Sequence, residues 1–127
     1  MIVDDELLVL DTCVSILKDL GYQVTSCLTG AELLELFRSK PNEYDLVITD
    51  LTMPDMTGLE LSEKIKKIRN NIPIILSTGF GKTISTDKAY QKGISEVIFK
   101  PFSIKQISNV IHIVLHGDKA KTGNREE

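Results

Sequence analysis

The sequence predicts an α/β fold in which five parallel strands are covered by helices on both faces. Two observations predict it. Short apolar runs alternate five times with amphipathic stretches of helical period. The runs are close to continuous in Val, Ile and Leu, as strands buried on both faces require. The chain has 127 residues, the size of one domain, and can bury a core without disulfides or metal staples.

The elements follow in order. "MIV" (1–3) is the first strand. A helix is expected from about Glu6 to Leu20, with Val9, Cys13, Ile16, Leu17 and Leu20 at helical spacing and Gly21 as its stop. "QVTSC" (23–27) is the second strand. Gly30 to Ser39 is the second helix, with Leu33, Leu34 and Phe37 inward. "DLVIT" (45–49) is the third strand, and the helix from about Leu59 to Arg69 places Leu61, Ile65 and Ile68 on one face. Pro73 opens the fourth strand, "PIILS" (73–77), and 83–92 is a weak helix rich in Thr, Ser and Lys. "EVIF" (96–99) is the fifth strand. The last helix runs from about Ser103 to Leu115, with Ile104, Ile107, Ile111, Val114 and Leu115 as its core face. Ile113, with Val110 beside it, points away. Residues 1–116 form one domain. Residues 117–127, "GDKAKTGNREE", hold no apolar residue larger than alanine and read as a disordered tail.

Right-handed crossovers leave few topologies for five βα units, and the flavodoxin-like order 2-1-3-4-5 is favoured. Ligands in such sheets bind beyond the carboxyl ends of the strands, where strands 1 and 3 part. Asp4, Asp5, Asp50, Thr78 and Lys100 all fall at strand ends on that edge. Each has an ordinary reading as a cap, a turn residue or a solvated strand end. Jointly they do not. Two like charges about 5 Å apart repel by ~3 kcal/mol at an effective dielectric near 20. Three gathered carboxylates need counter-charge, which Lys100 and a hard divalent cation such as Mg2+ would supply.

Composition excludes several classes. The chain is 42% hydrophobic and 26% charged with net charge −3, so neither a nucleic-acid surface nor a polybasic membrane patch is expected. No apolar run is long enough to span a bilayer, and the first residues do not read as a secretory leader. Cys13 and Cys27 lack metal-like spacing and suit a reduced, cytoplasmic setting.

Taken together, Asp4-Asp5-Glu6, Asp50 after "LVIT", Met53-Pro54 with Gly58, Thr78 after "IILS" and Lys100-Pro101-Phe102 resemble the receiver domains of two-component response regulators. The resemblance covers about residues 1–116. It implies that Asp50 accepts a phosphoryl group from the phosphohistidine of a histidine kinase or phosphotransfer domain. Asp5, Asp50 and the Thr52 backbone carbonyl would bind Mg2+, with Mn2+ as an alternative, and Asp4 would act through water. Thr78 would bond the phosphoryl oxygens, Lys100 would pair with the acyl phosphate, and the Lys100–Pro101 bond would be cis. Such a domain is a self-phosphorylating switch with slow dephosphorylation rather than a conventional enzyme. "LTMPDMTG" and "LSTGF" look most like receivers of hybrid sensor histidine kinases, and a stand-alone regulator is the other parentage. The fourth and fifth helices would carry a docking or homodimer surface.

The sequence departs from the family in three places. Val97 stands where an aromatic switch residue is usual, three places before Lys100, while Phe99 lies one place before it and faces away from it along the strand. Output is therefore expected to depend on shifts around residues 79–92. Gly79 and Gly81 flank Phe80, which predicts a mobile loop, and Phe80 has no group to orient an attacking water. The first strand is short, as though the chain begins inside it. Two other functions compete. A haloacid-dehalogenase-type aspartyl phosphatase would need an acid at Thr52. A degenerate receiver used only for binding would not need all five site residues. A flavin-binding flavodoxin would need a phosphate loop rich in Ser, Thr and Gly after the first strand.

Overall fold

The computed structural model describes residues 1–79 and 86–126, with side chains described up to His116. Phe80, Gly81 and the expected helix start at 83–85 lie outside the described residues. The elements are β1 (Ile2–Val3), α1 (Leu7–Asp19), β2 (Ser26–Cys27), α2 (Gly30–Ser39), β3 (Val47–Asp50), α3 (Gly58–Ile68), β4 (Ile74–Thr78), α4 (Thr86–Gln91), β5 (Glu96–Phe99) and α5 (Ile104–Glu126). The strands form one parallel sheet in the order β2-β1-β3-β4-β5, as the sequence predicted.

Strand alternation divides the core in two. Val3, Val47, Ile74, Leu76 and Val97 face a cluster that holds Leu33 and Phe37 of α2, Leu61 and Ile65 of α3 and Ala89 of α4. Ile2, Ile48, Ile75 and Ile98 face Leu10, Cys13 and Leu17 of α1 and Ile107 and Ile111 of α5. Both faces being buried explains why the strands read as unbroken apolar runs.

The helix ends follow local chemistry. Gly21, at φ +97°, ends α1, with Tyr22 N–H donating to the Leu17 carbonyl and Gly21 N–H to Lys18. Thr57 and Glu60 form a reciprocal capping box on α3, and Ser103 and Gln106 form another on α5.

Several expectations are corrected. β2 is two residues long, not five. Leu10 is a buried core residue of α1, whereas Leu20 is exposed. Ile104 is 58% exposed, because the first turn of α5 stands at the sheet edge before the helix reaches the core, and Val110 packs against the core rather than away from it. α5 runs from Ile104 to Glu126.

The segment between β3 and α3 is held unusually closely. A Cβ on Gly58 would stand 2.4 Å from the Asp50 carbonyl oxygen and 2.7 Å from Leu76, so only glycine lets α3 start this near β3. Gly58 N–H donates to the Leu51 carbonyl at 2.7 Å, and Leu51 N–H to Ser77 at 2.8 Å. Asp55 reaches across to the N-terminus of α2, accepting from Gly30 N–H at 3.3 Å and Ala31 N–H at 2.9 Å. It is a second cap on α2 beside Thr29. Asp55→Ala should destabilise the protein by about 1 kcal/mol. Chemical denaturation checks this, and Asp55→Asn should recover part of the loss.

Candidate functional site

Asp4, Asp50 and Lys100 share the even side of their strands, continuing Ile2, Ile48 and Ile98 past the carboxyl edge of the sheet. Lys100 Nζ lies 2.5 Å from Asp4 Oδ2 and 3.3 Å from Asp50 Oδ1. Asp4 Oδ1 accepts from Glu6 N–H at 2.9 Å, so both of its oxygens are engaged. Asp5 is exposed, and one carboxylate oxygen from each of Asp4, Asp5 and Asp50 lies within 4.8 Å of the others. An open cavity of about 210 Å³ is lined by Asp5, Glu6, Asp50, Thr52, Gly79 and Lys100.

Burial raises the Asp50 pKa above the ordinary carboxylate value. The Lys100 ammonium opposes this, while Asp4 and Asp5 add to it. Burial alone would lower the Lys100 pKa, but its bond to Asp4 and the charges of both carboxylates outweigh that and raise it. The donor set is therefore hard, anionic and incompletely neutralised, which fits a small divalent cation on oxygen ligands.

Thr78 ends β4 and is fully buried, and its Oγ1 has no hydrogen-bond partner among the described residues. An unpartnered buried hydroxyl costs roughly 1–3 kcal/mol, so this group stands ready for an acceptor. The register supplies a finding that the sequence reading missed. Thr78 pairs with Phe99, and these two share a sheet side with Val97. Counting back from Lys100 led to Val97, which packs into the core. The aromatic directly beside Thr78 is Phe99, 54% exposed. The Lys100–Pro101 bond is cis, as the resemblance implied.

A larger cleft of about 570 Å³ lies at the opposite edge of the sheet, between backbone 21–25 and 43–46. It holds the Met1 ammonium, which donates to the Leu46 carbonyl at 2.9 Å. Burial lowers the pKa of that amine to about 6, against the charges of Cys27 and Asp45. Glu43 and Asp45 line it, but among the described residues the one group of three acids close enough to share an ion is at the carboxyl edge, so size does not locate the chemistry.

The model of the family described as "Response regulator receiver domain" matches residues 1–112. The chain belongs to this family. It is 33% identical to the two-component response regulator ARR11 of Arabidopsis thaliana over 91% of this chain and 22% of that protein. It is 35% identical to response regulator SaeR of Staphylococcus epidermidis over 84% of this chain and 45% of that protein. It is 34% identical to the aerobic respiration control sensor protein ArcB of Escherichia coli over 76% of this chain and 12% of that protein. The chain thus spans less than half the length of these relatives. A receiver domain protein from Clostridium thermocellum superposes with a TM-score of 0.86 at 29% identity, covering 94% of each chain. FixJ-N superposes with a TM-score of 0.79 at 32% identity, covering 91% of this chain and 90% of that one. Receiver domains work with histidine kinases or phosphotransfer proteins and generally use Mg2+ at an aspartate cluster, and this receiver has such a cluster.

The raised Asp50 pKa makes a stability prediction. A carboxyl that binds its proton more tightly when folded favours the fold below its unfolded pKa. That contribution is lost as pH rises through the raised folded value. At pH 7 ionised Asp50 therefore costs stability in the metal-free receiver. Asp50→Asn should raise the metal-free Tm at pH 7, by roughly 4 °C for each kcal/mol relieved, and raise it less at pH 4. Thermal melts in chelator at both pH values check this.

Proposed function

We propose that this receiver takes a phosphoryl group onto Asp50 from the phosphohistidine of a histidine kinase or phosphotransfer domain. The observation that supports this best is the Lys100 ammonium held between Asp4 and Asp50, beside a cavity that exposes Asp50 and Asp5. A carboxylate oxygen of Asp50 attacks phosphorus. The new O–P bond forms as the P–N bond breaks, and its electron pair returns to the donor imidazole nitrogen.

Lys100 pairs with the acyl phosphate once Asp50 has given up its free charge. Thr78 Oγ1 donates to a phosphoryl oxygen and so gains the partner it lacks. Asp5, Asp50 and the Thr52 carbonyl would hold Mg2+, or Mn2+ in its place. Asp4 acts through water, because its own oxygens already accept from Glu6 and Lys100. When bound, the ion neutralises charge on the phosphoryl oxygens. Thr52 at the second position after Asp50 offers no acid–base group for rapid turnover, which counts against a dehalogenase-type phosphatase.

The setting we assign is cytoplasmic. No described helix is long and apolar enough to cross a membrane. The parent is a hybrid sensor kinase or a stand-alone regulator. A homodimer would use α4, which carries exposed Tyr90, and α5, with exposed Phe99 on the β5 edge nearby.

Incubation with acetyl phosphate and Mg2+ should add one phosphoryl mass, and beryllofluoride should bind in its place. Asp50→Asn should abolish both, and wild-type protein that gains no mass would overturn the reading. Thr78→Val separates structure from chemistry. It should leave metal-free stability unchanged or raise it by up to about 1 kcal/mol, because an unsatisfied hydroxyl is removed. It should also shorten the lifetime of the phosphorylated form.

A further inference from the structure

The receiver carries a second set of metal-ligating side chains that the phosphoacceptor chemistry does not use. His112 and His116 lie one turn apart on α5, both exposed, with ring centroids 4.4 Å apart and planes inclined by 44°. Residues four apart share a helix face. The buried Ile107 and Ile111 hold the opposite side of α5 against the sheet, so the turn that carries the histidines is fixed by the core. The imidazoles need no main-chain rearrangement to meet one ligand.

We propose that His112 and His116 bind a borderline transition-metal ion, with Zn2+ as the type case, through one nitrogen from each ring, water completing the shell. The distances allow it. A Zn–N bond of about 2.0–2.1 Å puts the ion about 3 Å from each imidazole centroid, a reach that spans the observed separation comfortably. Asn109 stands one turn earlier on the same outer face and Lys105 two turns from His112, so neither of these neighbours adds a carboxylate to the two imidazoles.

The chemistry separates this site from the acidic one. Carboxylates and carbonyls at the carboxyl edge select hard Mg2+ or Mn2+, whereas imidazole selects Zn2+, Ni2+ or Cu2+. Geometry separates them too. α5 starts at that carboxyl edge, and His112 lies eight residues further, about 12 Å along the helix axis. The far end of this helix stretch is marked by Leu115, which lines the cleft at the other edge of the sheet. The pair is therefore loaded independently of Asp50.

The test is titration of the purified chain with Zn2+ in saturating Mg2+, which keeps the acidic cluster occupied, read by calorimetry and by thermal melts. Wild-type protein should bind one Zn2+ per chain. At a free Zn2+ concentration 100 times the dissociation constant, the folding equilibrium constant should rise about 100-fold. His112→Ala and His116→Ala should each weaken Zn2+ binding at least tenfold, while acetyl phosphate labelling in Mg2+ stays at the wild-type level in both. Zn2+ binding that survives both substitutions, or that Asp5→Asn removes instead, would overturn the proposal. So would wild-type protein that binds no Zn2+ under these conditions.

Discussion

The site depends on one ammonium. Lys100 is the only cation placed among Asp4, Asp5 and Asp50 by the described contacts, and it touches two of them. Its own raised pKa shows which way the balance falls: the cost of burying it is more than met by the carboxylates. The reverse holds at Asp50, where burial and like charge outweigh the lysine. The metal-free receiver is thus over-supplied with negative charge at one point. That excess would suit a divalent cation, which would in turn lower the repulsion met by an incoming phosphoryl group.

Holding such an excess in place requires a rigid support. β3 is buried along its whole length, and α3 begins against the backbone of Asp50, a contact that admits no side chain on Gly58. The intervening loop is tied back by Asp55 to α2 and by Leu51 to β4. Thr52 therefore sits between two anchored points. The backbone carbonyl that the resemblance assigns to a metal belongs to a loop with little freedom to swing away.

The sheet order and the strand-end residues were legible in the sequence because they follow from period and position. Unbroken apolar runs mark buried parallel strands, and the residue after each run must lie at the carboxyl edge. Asp4, Asp50, Thr78 and Lys100 were located that way. What escaped was contact between distant segments. Nothing in "MPDMTG" says that the N-terminus of α2 lies beside Asp55. Ile104 fitted the helical stripe, but a stripe does not say how far along a helix its core contact begins. Phe99 was missed for a similar reason: pairing with Thr78 is a matter of register between strands, which counting along one strand does not give.

That register bears on how the signal would leave the site. Thr78 is buried without a hydrogen-bond partner among the described residues, on the same sheet side as Val97 and opposite Phe99. If Thr78 moves toward a phosphoryl group, the space it leaves opens on that side. Val97 already fills its own place in the core and has no ring to swing. Phe99 is half exposed, so moving inward would hide apolar surface from water, a favourable change of about 25 cal/mol for each Å² covered. On this reading the hydroxyl and the ring answer the same event. One gains a hydrogen bond and the other gains burial, and both changes lie on the β4–β5 edge next to α4. The coupling usually placed three residues before the lysine would then be carried one residue before it.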